Sequence, residues 1–278
     1  MLKYKYSLLY CLATAISSSC IDGVTDYMPT AYVLCISCLV AIIYFNIASS
    51  AKLIHIYKTI YQHKKSFLII NILVAIMWAC TFFGIAIGGA TYYLLIYFSI
   101  GGLAAMIFMD FKSNKLQIIL LIFLTALTYF VKSNIIGFIL GLTGGLTGFL
   151  YLKLSKDLHD NLGFSSNEVL AIRFWLLFII LLLVTPNKDF IIYTNMTNIL
   201  TIIFVAFLSM IVQLWFSQQG IVYSGVRIHQ YIVSLTPSAT FFAQGAILGE
   251  WHPVLLLLTL IIPVVLFSDT IFKTKRNN

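Results

Sequence analysis

The sequence predicts an all-α membrane protein that crosses the bilayer many times. Of its 278 residues, 61% are hydrophobic and only 9% are charged, and the mean hydropathy is +0.99. A typical soluble domain has about 25% charged residues, and a water-soluble fold could not bury this much apolar surface. The net charge of +8 does not indicate a nucleic-acid partner, because the basic residues lie in short loops and tails. We therefore expect a lipid bilayer as the environment and no binding of nucleic acid.

Ten apolar segments follow one another along the chain, and most are long enough to cross a hydrocarbon core of ~30 Å. They cover residues 6–21, 27–45, 66–84, 88–109, 115–131, 134–154, 166–184, 198–220, 226–246 and 251–271. The first segment resembles a signal peptide in its charge pattern, but no cleavage site follows it. It is predicted to be the uncleaved first transmembrane helix. Residues 46–66 and 155–165 are predicted to be the long loops between segments.

The basic residues predict that both termini lie in the cytoplasm. Of the 17 Lys and Arg residues, Arg173 lies inside a segment, and Lys132 and Lys188 fall on one side of the ten-segment arrangement. The remaining fourteen fall on the other side, which the positive-inside rule identifies as cytoplasmic. Because the chain is also compact, we expect a multi-pass protein of the bacterial cytoplasmic (inner) membrane.

A short phrase occurs twice, and the second copy begins 136 residues after the first (84 to 220). Gly84–Ala90 reads GIAIGGA and Gly220–Val226 reads GIVYSGV. Each copy connects two segments, the third to the fourth and the eighth to the ninth. Five segments separate equivalent points, and an odd number puts the copies on opposite sides of the membrane. The sequence therefore predicts two inverted five-helix repeats, residues 1–132 and 133–278, an architecture common among secondary transporters.

The second half also carries a recognisable pattern. Residues 234–238 read SLTPS and lead through an apolar run to Leu248-Gly249-Glu250. Before them come Gly137–Ser155, a polar loop and Glu168–Arg173, with an arginine early in the second helix of this half. The pattern resembles the EamA domain of the drug/metabolite transporter superfamily. This resemblance implies two five-helix repeats around a central substrate cavity.

Polar and aromatic side chains inside the segments are the candidates for a substrate site. Arg173 should face protein or water, because inserting it into a bilayer costs roughly 2.5–3.5 kcal/mol. It either extends to the inner membrane interface or holds helix ends together, or else it attracts an anionic group of a substrate. The amides and indoles either bond between helices or line a pocket for an uncharged or zwitterionic metabolite, and His229 either anchors its helix at the interface or gates the cytoplasmic side. The candidates are Trp78, Arg173, Gln213, Trp215, Gln218, His229 and Gln230.

Small residues and one proline are the candidates for packing and hinge positions. The spacing of Gly141, Gly145 and Gly148 in the sixth segment predicts close approach of a neighbouring helix. The equivalent first segment carries the small residues Ala13, Ala15, Ser17, Ser18 and Ser19. These helices either are statically packed or line the cavity and slide during transport.

Pro237 is predicted to kink the ninth helix near the bilayer centre. Gly101 and Gly102 stand where the EamA pattern would have a proline, and they are predicted to weaken the fourth helix at a similar depth. Each position is either a fixed kink or a hinge.

The chemistry that the sequence lacks narrows the function. The five cysteines lie in apolar segments and are interpreted as packing residues rather than a disulfide or metal site. No Asp or Glu lies in the middle of a segment, and no nucleotide-binding or hydrolase motif is present. We therefore expect no cofactor, no metal and no enzymatic activity.

The favoured function is secondary transport of a small polar metabolite, amino-acid-like or nucleoside-like, by alternating access. The substrate cavity is predicted to lie among segments one, three, four, six, eight and nine. We expect a monomer, with a dimer as the alternative. The competing functions are a multidrug or lipid-like exporter and, in a different class, a membrane scaffold or lipid-modifying enzyme.

Overall fold

The computed structural model describes residues 4–110 and 115–276, except for the side chains at 109–110 and 269–276. In these ranges the chain is helical and has no β-strand. Helices α1 to α6 are Lys5–Thr25, Thr30–Ala48, Leu53–Gln62, Lys64–Gly88, Ala90–Asp110 and Lys115–Lys132. Helices α7 to α15 are Ile135–Leu162, Ser166–Ala171, Trp175–Val184, Asn187–Ile192, Met196–Ala206, Gln213–Ser224, Val226–Val233, Thr236–Leu248 and Pro253–Arg276. Five of the basic residues used to predict the orientation are not described in full. Lys3 and Lys112 lie outside the described residues, as do the side chains of Lys273, Lys275 and Arg276.

Nine helical stretches of the described residues are long and apolar enough to cross a membrane. Six are the single helices α1, α2, α4, α5, α6 and α7, and three are the pairs α8–α9, α11–α12 and α13–α14. A tenth apolar stretch, Pro253–Ser268 in α15, is shorter. Each of the ten predicted segments starts within about three residues of one of these stretches. The chain is therefore an all-α, multi-pass membrane protein.

The prediction of two long loops is wrong, because both connections contain helix. Helix α3 occupies the middle of residues 46–66, and α7 continues through polar residues to Leu162. An ion pair of 2.8 Å joins Lys156 to Asp160 on successive turns of this extension. Gly163 then ends α7 with a φ of +68°, a conformation that favours glycine. Segment hydropathy missed the extension because a helix can leave the bilayer and continue on polar residues.

Three of the spans in the second half are interrupted. Between α8 and α9 the helix is broken at residues 172–174, and between α13 and α14 it is broken at residues 234–235. Between α11 and α12 the chain forms a π-helical turn, Phe207–Val212. The corresponding first-half helices α2, α4 and α5 are each continuous. The irregular backbone of the long spans thus lies in the second half of the described chain.

The kink predicted at Pro237 is present, whereas the weakened fourth helix is not. Pro237 stands in the first turn of α14, directly after the break at residues 234–235. Proline has no N–H to donate and its ring crowds the carbonyl four residues earlier, so the helix restarts there. Helix α5 runs without interruption through Gly101 and Gly102, because two adjacent glycines keep their backbone hydrogen bonds.

Both copies of the repeated phrase have the same local structure. Gly89 follows α4 with φ and ψ of +81° and 151°, and Gly225 follows α12 with 78° and 158°. Each donates its N–H to an isoleucine carbonyl four residues earlier, at 2.7 Å for Ile85 and 3.0 Å for Ile221. L side chains rarely adopt these backbone angles, which explains why glycine occupies both positions.

The two copies lie at opposite ends of the helix bundle. Gly89 lies beside the Asp22 carboxylate near the end of α1, whereas Gly220 lies beside the Ser7 hydroxyl near its beginning. Ser7 and Asp22 are fifteen helical residues apart (7 to 22), which is about 22 Å at 1.5 Å per residue. The two copies thus lie beside opposite ends of α1.

Helices of the two halves are interleaved rather than packed as separate units. Helix α7 packs against α4 and α5, and α1 packs against α12 and α14. The glycines of α7 permit its close contact with α5. A Cβ atom at Gly141 would lie 2.8 Å from the Ile96 side chain, and Cβ atoms at Gly145 and Gly148 would overlap the backbone oxygen and the hydroxyl of Tyr97. The close approach predicted for this segment is present, with α5 as the partner.

Candidate functional site

A small cavity lies at the centre of the bundle, between α1, α4, α5, α7, α12 and α13. These helices belong to the same six spans that were predicted to surround a cavity. Its volume is about 40 Å³, which is room for a few water molecules. Hydroxyl, amide, imidazole and indole groups interrupt an otherwise apolar wall. The polar wall residues are Tyr10, Thr14, Ser17, Ser18, Trp78, Thr81, Tyr97, Tyr151, Gln213, Ser217, His229 and Gln230.

Two fully buried polar groups of the wall make no hydrogen bond of normal geometry to the described protein groups. They are the indole N–H of Trp78 and the hydroxyl of Thr14, and both side chains are at most 3% exposed. Burying a polar group without a hydrogen bond is costly. These two groups are therefore the ones best placed to bond a molecule in the cavity.

His229 connects three helices at the end of the cavity where the Gly220 copy lies. Its Nδ1 lies 2.9 Å from the Ser7 hydroxyl and its Nε2 lies 3.4 Å from the Ser217 hydroxyl. The ring of Tyr10 packs against the imidazole, with 5.4 Å between the ring centroids. His229 is 1% exposed, so anchoring at the membrane interface is the wrong interpretation. The residue belongs to the wall, and we name Ser7, Ser217 and His229 the inner cluster.

The two candidate glutamines of the wall have different neighbours. Gln213 accepts a hydrogen bond of 2.9 Å from Ser17, which joins α12 to α1. Gln230 lies against α5 at Gly101, where a Cβ atom would come within 2.7 Å of its amide nitrogen. Gly102 makes similar room for Leu266 of α15. The two glycines of α5 thus serve close packing in the structure.

Trp215 is not brought into the cavity. It packs against Tyr6 and Phe216, with ring centroids 5.8 and 5.5 Å away, and borders a separate surface recess with Tyr44. The reason is helical geometry, because Trp215 follows the wall residue Gln213 by two positions and points about 200° away from it. The grouping of Trp215 with the glutamines is therefore corrected.

Arg173 lies in the break between α8 and α9 and is completely buried. Its Nη1 donates to the hydroxyl of Tyr151, a wall residue that also accepts from Gln218. Gln218 further donates to Ser155 at 3.0 Å. The guanidinium carbon lies 4.9 Å from the Tyr151 ring centre and 4.7 Å from that of Phe174. Gln218 thus reaches the cavity through Tyr151 rather than directly.

Two asparagines satisfy the backbone that this break exposes. Asn46 of α2 donates to the carbonyl of Ala171, and Asn71 of α4 donates to that of Ile172, both at 3.1 Å. A carbonyl left without a partner inside a bilayer costs several kcal/mol. The two amides therefore stabilise a break that the apolar sequence around it gives no reason to expect.

A second cluster lies at the opposite end of the bundle, beside the Gly84–Ala90 copy. Asp22 of α1 accepts from the backbone N–H of Ala90 and from the amide of Gln244, each at 2.9 Å. The Gln244 oxygen accepts from the backbone N–H and hydroxyl of Thr91, at 3.0 and 2.6 Å. We name Asp22, Ala90, Thr91 and Gln244 the outer cluster. It joins α1, α5 and α14.

Sequence reasoning missed several wall residues. The sequence pattern does not distinguish Tyr10, Tyr97 and Tyr151 from the apolar core, whereas Ser17 and Ser18 belong to a helix that is predicted either to pack statically or to line the cavity. A tyrosine inside an apolar segment must place its hydroxyl near a partner. This need for a hydrogen-bond partner is the only sign in the sequence that these tyrosines, unlike phenylalanines, are candidates for a polar wall.

No protein-family model matches the chain, and no curated protein matches it either. The resemblance to the EamA domain therefore depends on the residues quoted above and stays a prediction.

Proposed function

We propose that this chain is a secondary transporter that moves a small polar metabolite across the bacterial cytoplasmic membrane by alternating access. The observation that supports this proposal best is the cavity. Spans of both halves form its polar wall, and it lies between two hydrogen-bonded clusters. Amino-acid-like and nucleoside-like solutes are the substrate classes we favour, because the wall offers hydroxyl, amide and indole groups beside aromatic rings.

We further propose that the chain consists of two inverted five-helix repeats of the EamA type, with both termini in the cytoplasm. The matching glycine conformations at Gly89 and Gly225 support this proposal. The span bounds support it as well, since Thr30–Ala48 and Ser166–Val184 begin and end 136 residues apart (30 to 166 and 48 to 184). With the same offset, the packing of α7 on α4 and α5 corresponds to the packing of α1 on α12 and α14.

Alternating access would operate through the two clusters. The outer cluster closes the side predicted to face outward, and the inner cluster closes the cytoplasmic side. Opening one cluster while the other stays bonded exposes the wall to one compartment at a time. The cavity is far smaller than the ~300–1,000 Å³ of pockets that hold drug-sized ligands, so the structure resembles a closed intermediate.

Reconstitution into liposomes tests the transport proposal. Counterflow of labelled amino acids and nucleosides should show saturable flux for at least one class, above that of protein-free liposomes. Trp78→Ala and Gln213→Ala should reduce this flux, because both remove a polar group from the wall. Trp251→Ala is the control, since Trp251 is half exposed and lies outside the wall. Absence of flux for every solute would overturn the proposal, and flux of lipophilic dyes alone would favour the exporter.

A further inference from the structure

We propose that Arg173 forms an anion subsite at the edge of the cavity and that the transported metabolite carries a carboxylate. This inference rests on the proposed transport function and adds the ionic class of the substrate. The guanidinium of Arg173 has unused hydrogen-bonding capacity. Nε and Nη2 of Arg173 have no partner among the described groups, although the side chain is fully buried.

The free edge of the guanidinium has the shape that a carboxylate requires. Nε–H and Nη2–H lie on the same edge of the planar group, and two parallel donors match the two oxygens of a carboxylate. Nη1, on the other edge, is occupied by Tyr151. The rings of Tyr151 and Phe174 hold the plane of the group in place. The edge that carries Nε–H and Nη2–H therefore has no partner among the described protein groups.

The surroundings of Arg173 contain no described negative charge to pair with it. The ion pairs among the described residues join Lys52 to Glu168 and Lys156 to Asp160. The carbonyls of the break, which could have accepted from the guanidinium, are already bonded to Asn46 and Asn71. An unpaired cation inside a membrane protein is costly and marks a substrate or ion site by default.

The start of α9 adds to the positive potential. Arg173 lies two residues before α9, a helix of 10 residues, and the N-terminal end of a helix carries a partial positive charge. Interrupted membrane helices commonly direct such ends at anionic groups of a substrate. The cation and the helix end therefore act in the same direction.

Arg173 is connected to the cavity by its neighbours. Tyr151 belongs to the wall, and the phenols of Tyr10 and Tyr97, also in the wall, lie close enough to interact electrostatically with the guanidinium. The Trp78 ring, whose N–H is unpartnered, lies 6.3 Å from the Phe174 ring. A metabolite could place its carboxylate at Arg173 and its remaining polar groups at Trp78 and Thr14.

Thermal unfolding of the purified protein tests the subsite, since a ligand that binds the folded state raises the apparent Tm. The probes are small monocarboxylates and L-amino acids, each paired with its uncharged or carboxamide analogue, and inorganic phosphate. At least one carboxylate should raise the Tm while its amide partner does not. Arg173→Gln should raise the apparent Kd of the carboxylate at least about tenfold, because hydrogen bonds to a charged group are lost. Arg173→Lys should retain part of the affinity, as a charge without the bidentate edge.

Arg227 provides a matched control. It also donates to a tyrosine hydroxyl, that of Tyr231, at 3.1 Å and lies over the same ring, but it is outside the cavity wall. Arg227→Gln should leave the carboxylate effect unchanged. Equal Tm shifts for carboxylate and amide in the unaltered protein would overturn the inference, and this comparison needs no variant to fold. A full carboxylate effect in Arg173→Gln would also overturn it, as would a response to phosphate alone.

Flux measurements separate this inference from the transport proposal. If liposomes carry neutral amides or nucleosides but no carboxylate, the transport function stands and the anion subsite is refuted. If no solute moves at all, the transport function itself is refuted, whatever binds to Arg173.

Discussion

The carboxylate of Asp22 lies 2.9 Å from the backbone N–H of Ala90 and caps the first turn of α5 from another helix. A negative charge at this end of a helix is favourable, because the first N–H groups have no partner within the helix. Gln244 of α14 donates to the same oxygen. A single carboxylate therefore helps to join α1, α5 and α14 at the outer cluster.

Replacing Asp22 by alanine should loosen the outer cluster. We expect the free energy of unfolding to fall by about 1–2 kcal/mol, as for loss of a helix cap. The cavity should also become more accessible from outside. A cysteine at Thr14, in a chain without its native cysteines, should react faster with a charged thiol reagent added outside. Asp26→Ala is the control because Asp26 is exposed, and equal rates in both variants would contradict the prediction.

Replacing Ser7 by alanine should make the cavity more accessible from the cytoplasmic side instead. The variant removes the 2.9 Å hydrogen bond to His229 in the inner cluster. One buried hydrogen bond contributes on the order of 1 kcal/mol, so the population open to the cytoplasm should rise about fivefold. The same cysteine at position 14 should then react faster from the cytoplasmic side, while Ser50→Ala, at an exposed serine, should not alter it. Faster reaction from outside would show that the orientation is wrong.

Gly145→Ala should destabilise the contact between α7 and α5. Its Cβ atom would overlap the backbone oxygen of Tyr97, which cannot move without shifting the helix. Overpacking of this kind costs about 1–3 kcal/mol, measurable as a lower midpoint of denaturation in detergent. Gly23→Ala is the matched substitution, because its Cβ atom would meet only the end of the Leu248 side chain at 3.0 Å. Equal midpoints for the two variants would argue against close packing as the role of Gly145.

Asn71→Leu should destabilise the break beside Arg173. The leucine has a similar size but leaves the carbonyl of Ile172 without its 3.1 Å hydrogen bond. Hydrogen bonds between membrane helices contribute about 1 kcal/mol, so a loss of that size is expected in the free energy of unfolding. Asn161→Ala, at an exposed asparagine, should change stability little. An unaltered stability of Asn71→Leu would contradict a net stabilising role for Asn71 at this break.

Apolar length was enough to predict where the spans begin, but not where they are interrupted. Pro237 has a local cause that the sequence displays, because a proline cannot continue the hydrogen-bond ladder. The break at residues 172–174 has no such cause. It depends on Asn46 and Asn71, which come from helices more than a hundred residues earlier in the chain, and such pairing is decided by tertiary packing.

The site was predictable in outline and not in its contacts. The six spans around the cavity are those expected for a transporter of the type that the sequence resembles. The pairing of Arg173 with Tyr151 could not be foreseen, since both lie in apolar segments and neither spacing nor hydropathy identifies the partner. Trp215 was misplaced because its proximity to Gln213 in sequence was taken for proximity in space.

The π-helical turn Phe207–Val212 changes the direction in which side chains of one membrane span point. A π turn holds an extra residue, so every side chain after it is rotated by about 100° relative to an unbroken α-helix. Before the turn, α11 packs against α2, and after it, α12 packs against α1. The main neighbour of the span therefore changes from α2 to α1 along its length. Removal of one residue from the turn would restore a single phase, and Gln213 and Ser217 would turn from the cavity although no residue of the wall had changed.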